Sequence, residues 1–101
     1  MENLRPDDRL PSLPELRQKV ADLLDKVMVR RENSYPASQE LRELARRWKS
    51  SGGEPEGSAL LAKAQGLIGM VSASPHGDPM EHRAMDEVVN LKRELRARNA
   101  A

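Results

Sequence analysis

Apolar residues recur along this chain at spacings of three and four. Leu13, Leu16, Val20, Leu23 and Val27 step by 3, 4, 3 and 4, with Leu24 widening the row. That repeat is the stripe of a helix that packs on another at a shallow angle, and it predicts a first helix over 13–32. Ser12-Leu13-Pro14-Glu15 opens it as a capping box: the serine hydroxyl accepts from the N3 amide and the glutamate reaches back to the serine amide. Leu41, Leu44, Ala45 and Trp48 share one face of a second helix over 37–50. A third, over 58–72, carries Leu60, Leu61, Ala64, Leu67, Ile68 and Val71 at i, i+1, i+4, i+7, i+8 and i+11. The fourth, over 79–98, repeats Ala84, Val88, Leu91 and Leu95 after a box-like start, Asp78-Pro79-Met80-Glu81. No run alternates with the period of two that a half-buried strand needs.

Prolines at 6, 11, 14, 36, 55, 75 and 79 punctuate these windows. Proline suits the first turn of a helix and breaks an interior. The stretch from Ser50 to Gly57 reads as a flexible connector. The expected architecture is all-α: a small four-helix bundle made of two helical hairpins in a single domain over 12–101. A flexible N-terminal tail over 1–11 precedes it.

Composition makes that bundle thin. Leucine, isoleucine and valine together number 20, with one tryptophan, one tyrosine and no phenylalanine. Each buried aliphatic contributes about 1.5–3 kcal/mol, against about 1–2 kcal/mol of backbone entropy for each residue ordered. A second chain burying one stripe would relieve the deficit. The expected contact is therefore the first helix, through Leu13, Leu16, Val20, Leu23 and Val27, with a homodimer or a protein partner. A second candidate face lies on the third helix. Gly66 and Gly69, with Ala59 and Ala62, let another helix approach closely, either inside the bundle or from outside. Met70, Met80 and Met85 cluster nearby and read as core.

Charge and motifs remove other classes. One third of the residues are charged, yet the net charge is only +1, balanced in every segment. Arg42, Arg46, Arg47 and Lys49 make a basic face on the second helix, and Lys92, Arg93, Arg96 and Arg98 end the fourth. Phosphate contact is one use for such faces, but the charge balance falls short of a nucleic-acid-binding footprint. With no cysteine there is no disulfide framework or thiolate metal site. His82 with Asp86, four apart, and His76 nearby are the sparsest of metal sets, better read as an exposed helix pair. Asp7-Asp8 and Asp86-Glu87 are adjacent carboxylates that point apart, unlike an acid–base pair in a cleft. No phosphate loop, nucleophile elbow or dinucleotide fingerprint is present. Neither a secretory signal nor a membrane span is legible, so a cytoplasmic chain is expected, with no cofactor and no small-molecule substrate. In size and charge the chain resembles small bacterial or phage-type helical adaptors, chaperones and inhibitors. No residue role carries over from that likeness. The expected function is a non-catalytic protein-interaction module. The alternative is a small DNA-binding regulator using the basic second helix.

Overall fold

Four helices form, in chain order α1 (Leu13–Val29), α2 (Ser34–Ser50), α3 (Pro55–Ala73) and α4 (Pro79–Ala100). The structure, a computed structural model, describes residues 11–100; the expected N-terminal tail lies almost wholly outside them. The helices make two consecutive hairpins, α1–α2 and α3–α4, in one all-α bundle, and no strand occurs among the described residues. The closest packing runs across the hairpins, α2 on α3 and α1 on α4, while α1 and α2 meet over less of their length.

The stripes do the packing. Leu16, Val20, Leu24 and Val27 of α1, Leu41 and Trp48 of α2, Leu61, Ile68 and Val71 of α3, and Val88, Leu91 and Leu95 of α4 form one continuous core. Ser12 caps α1 as expected: its hydroxyl accepts from the Glu15 amide, and its own amide donates to the Glu15 carboxylate.

α2 begins at Ser34 rather than 37, with Pro36 in its first turn, and α4 ends at Ala100 rather than 98. Three further differences from the sequence expectation shape the turns. The first is the end of α1, at Val29 rather than near 32. Arg30 turns extended, and Arg31–Asn33 form a short 3-10 turn whose Asn33 side chain donates to the Lys26 carbonyl at 2.9 Å. A polar turn residue here competes successfully for the helix's last carbonyls. The second is the start of α3, at Pro55 rather than Ser58, because proline fits the first helical position. The third is the stretch 50–57, which is not a flexible connector. The Gly53 amide donates to the Trp48 carbonyl at 2.8 Å and the Gly52 amide to the Lys49 carbonyl at 3.2 Å. Gly52 takes the left-handed backbone that this double-bonded helix ending requires.

The same turn closes over Trp48. The indole N–H donates to the Glu54 carbonyl at 2.8 Å, and the ring is buried. A Cβ placed on Gly53 or Gly57 would fall inside the van der Waals surface of that ring. Both glycines are there to let the chain lie flat on the indole.

At the other end of the bundle the turns are joined by charge. Arg31 donates to the Val71 carbonyl at 3.0 Å and to the Ser74 carbonyl, which satisfies the end of α3, and pairs with the Glu81 carboxylate. Glu81 also accepts from the Gly77 amide at 3.0 Å, one residue earlier than the box-like start of α4 predicts. That amide, foremost, and then the Arg31 charge hold the Glu81 carboxyl below its ordinary range. Along the α1–α4 contact, Lys92 pairs with Asp25 at 3.0 Å and Arg96 with Asp25 and with Asp22 at 3.3 Å.

Candidate functional site

The residues singled out as a docking stripe on α1 are used by the chain itself. Leu16, Val20, Leu23 and Val27 are buried against α2, α3 and α4, and Leu13 packs half-buried at their edge. They cannot also form an outer contact surface, so the expectation that α1 presents this stripe to a partner is corrected. One inward stripe per helix already makes a core, and spacing does not say whose side chains complete it.

The glycines of α3 lie the opposite way from the core. Buried Leu61, Ala64, Ile68 and Val71 face inward, whereas Ala59, Ala62, Gly66 and Ala73 are exposed and Gly69 is half-exposed. A Cβ added at Gly66 or Gly69 would meet nothing. No internal helix therefore explains these two glycines. Ala59, Ala62, Gly66, Gly69 and Ala73 are spaced 3, 4, 3 and 4, the heptad repeat, on the outward face. Exposed Lys63 and Met70 flank the row. The outward face of α2, by contrast, carries Glu40, Arg42, Glu43, Arg46 and Lys49. The methionines expected in the core are split: Met85 packs against it, while Met70 and Met80 are exposed, because both sit beyond the inward arc of their helices.

The basic face of α2 is interrupted by acid. Arg46 makes a two-pronged pair with Glu43, at 3.1 Å from Nε and 2.6 Å from Nη2, and that bond holds Glu43 below the ordinary carboxylate range. Arg47 sits beside Glu40 and Glu43 in the cleft toward α1, and Arg42 and Lys49 are exposed. The second basic cluster is largely committed: Lys92 and Arg96 to α1 aspartates, and Arg98 to Glu94 at 3.3 Å and Glu56 at 3.5 Å. His82 is exposed, and His76 stands 3.7 Å from Glu81. Among the described residues no three histidine or carboxylate side chains converge as a metal site would require.

Two hollows lie among the described residues. One, about 180 Å³, lies where Arg17, Glu56, Lys63, Glu94 and Arg98 rim an apolar floor of Leu60, Leu91 and Leu95. The other is a groove between α1 and α2, about 340 Å³ at its larger end, where those two helices meet over less of their length. Sequence reading missed this groove. Its floor and walls come from two helices, and no periodicity within one helix reports how far it stands from the next.

No helix among the described residues is long and apolar enough to cross a membrane. Compared with protein-family models, curated proteins and solved structures, the chain matches none of them.

Proposed function

We propose that this chain is a non-catalytic protein-interaction module, a small adaptor that docks the outward face of α3 on a helix of a partner protein or of a second copy. One observation carries this reading: the heptad row Ala59, Ala62, Gly66, Gly69 and Ala73 faces away from the bundle with open space over both glycines. Each glycine in a helix interior costs about 1 kcal/mol relative to alanine, and here neither relieves a contact within the fold. A row of small side chains allows two helix axes to approach toward the near end of the usual 8–10 Å range.

Ala62→Glu and Gly66→Gln place larger helix-compatible groups on that face. Sedimentation equilibrium over a hundredfold concentration range, together with affinity capture by wild-type and substituted chains, is the test. The expected result is an association, with itself or with a captured protein, that both substitutions abolish while the melting temperature is kept. A chain that stays monomeric and captures the same proteins with or without the substitutions overturns the reading.

The alternative, a DNA-binding regulator using Arg42, Arg46, Arg47 and Lys49, has less support, since Glu43 neutralises Arg46 and Arg47 lies beside carboxylates. Sub-micromolar binding of random duplex at about 150 mM salt, lost on Arg46→Ala with Arg47→Ala, would favour it instead.

A further inference from the structure

Tyr35, Gln39, Arg42, Arg46 and Lys49 follow one another along α2 at spacings of 4, 3, 4 and 3, so they share one flank of that helix. The opposite flank, with Glu40, Glu43 and Arg47, lines the groove toward α1. The row from Tyr35 to Lys49 therefore borders α3, the other neighbour of α2. The two helices run antiparallel: Trp48 at the end of α2 meets Gly57 at the start of α3, and Arg31, just before α2, bonds carbonyls at the end of α3. On α3 itself, Glu56, Ala59 and Lys63 line the hollow toward α4. The small residues of α3 thus run between two borders, the α2 row on one side and Lys63 on the other.

Both borders are cationic. Arg42, Lys49 and Lys63 are exposed and have no ion-pair partner within 4 Å among the described residues. Arg46 is held by Glu43. Between Glu56 and Asp78 the sequence has no carboxylate, and Lys63 is its one lysine or arginine. Glu54 lies beyond the row, at the N-cap of α3. Toward α4 the remaining charges are matched: Glu56 is taken by Arg17 and Arg98, Glu94 by Arg98, and Arg83 stands one turn from Glu87. A second copy docking through the same face meets like charge whichever way its twofold axis lies. With the two α3 helices antiparallel, the α2 border of one chain faces the α2 border of the other; with them parallel, Lys63 faces it. Unpaired cations brought together in this way reject the pairing.

We infer, resting on the reading of α3 as the docking face, that its occupant is a helix of a different protein that carries aspartate or glutamate on both flanks of its docking ridge. The ridge lies over Ala62, Gly66 and Gly69. One acidic flank runs along Arg42 and Lys49, about 10 Å apart at 1.5 Å per residue, and the other meets Lys63. Borders of one sign select a partner by its charge: a helix with basic flanks, like a second copy, is turned away, and an acidic one is drawn in.

The probe is a synthetic helix of about 18 residues with alanine and leucine along its ridge and glutamate on both flanks; its twin carries lysine instead. Each is titrated into the full chain at about 50 mM salt, where surface charges are less screened than at 150 mM, and amide NMR shifts are followed. The glutamate helix is expected to shift Ala62, Gly66, Gly69, Arg42 and Lys49 and to bind about tenfold or more tighter than the lysine helix. Gly66→Gln should abolish that binding. Arg42→Glu with Lys49→Glu should reverse the preference, and Arg42→Gln with Lys49→Gln should erase most of it; thermal melts confirm that the variants fold. Equal binding of the two helices on α3, or a preference that survives both pairs of substitutions, overturns the inference and leaves the docking face standing. No shift from the glutamate helix at millimolar concentration overturns it too. Shifts confined to other helices, or binding that Gly66→Gln does not weaken, overturn both the inference and the reading of the face. Concentration-dependent shifts along α3 without probe would assign the face to a second copy, and random duplex DNA binding tighter than the glutamate helix would assign the cations to phosphate. Either result overturns the acidic-partner assignment.

Discussion

Two pairs of glycines in neighbouring stretches of this chain do opposite things. Gly53 and Gly57 lie against the Trp48 ring, where any side chain would intrude, whereas Gly66 and Gly69 face open space. The first pair is demanded by the fold; the second is a cost the fold carries without an internal return. Glycine in a helix or a turn is thus ambiguous until its neighbour is known. The bulky residue that gives Gly53 and Gly57 their meaning is the only tryptophan of the chain.

Four measurements break or sharpen that contrast. The largest effect should come from removing the ring itself. Trp48→Ala empties the site between α2, the turn and α3, and is expected to cost about 3–5 kcal/mol in chemical denaturation; a loss under 1 kcal/mol would show that the ring is not the organiser of this corner. Next, Gly57→Ala forces the indole to move and should cost about 1–3 kcal/mol, with Gly53→Ala in the same direction. In a Trp48→Leu background the penalty of Gly57→Ala should shrink, since the overlapping ring is gone, and a double-mutant cycle reads that coupling directly. Gly66→Ala and Gly69→Ala should have the reverse sign, each adding about 1 kcal/mol. If either destabilises the monomer, that face is not open in solution.

The smallest change expected is with acid, and it should separate the two ends of the bundle. The Glu81 carboxyl is held below its ordinary range by the Gly77 amide and Arg31. A lowered folded-state value stabilises the fold above the ordinary carboxylate range and loses that contribution as pH falls through it, below about pH 4. Asp25, lowered by its bonds to Lys92 and then Arg96, acts in the same direction. The Trp48 corner is closed by an indole N–H on a backbone carbonyl, and neither group titrates. Acidification below about pH 4 should therefore lower the hydrogen-exchange protection, taken relative to the slower intrinsic exchange in acid, around 74–82 while Trp48 fluorescence keeps its buried emission. Simultaneous loss of both signals from the first step of acidification would mean that the two ends are one cooperative unit.

Much of the fold was legible because each helix carries its own signal. The 3-4 stripes, the Ser12 box and the prolines depend on residues a few positions apart, and local geometry is enough to interpret them. The candidate sites were less legible. The α1 stripe looks the same whether its other half is α4 of the same chain or a helix of another. Arg31 and Glu81 are 50 positions apart in sequence, and nothing around either one names its partner. Ser50–Gly57 has the composition of a linker, and only the indole beneath it makes it a fitted turn.

By itself, then, the sequence determined the number of helices, their inward faces and the capping of α1, since these follow from backbone periodicity and short-range hydrogen bonding. It also set the charge balance that weighs against a nucleic-acid surface. Only the tertiary structure decided which apolar stripe is consumed in the core and which row of small residues is left outside. It likewise decided that Trp48 gives Gly53 and Gly57 their purpose, and that α1 and α2 meet over less of their length than the other neighbouring helices. The reason is physical: burial and pairing are properties of two surfaces at once, and the distance between α1 and α2 is set by what each of them packs against on its other side.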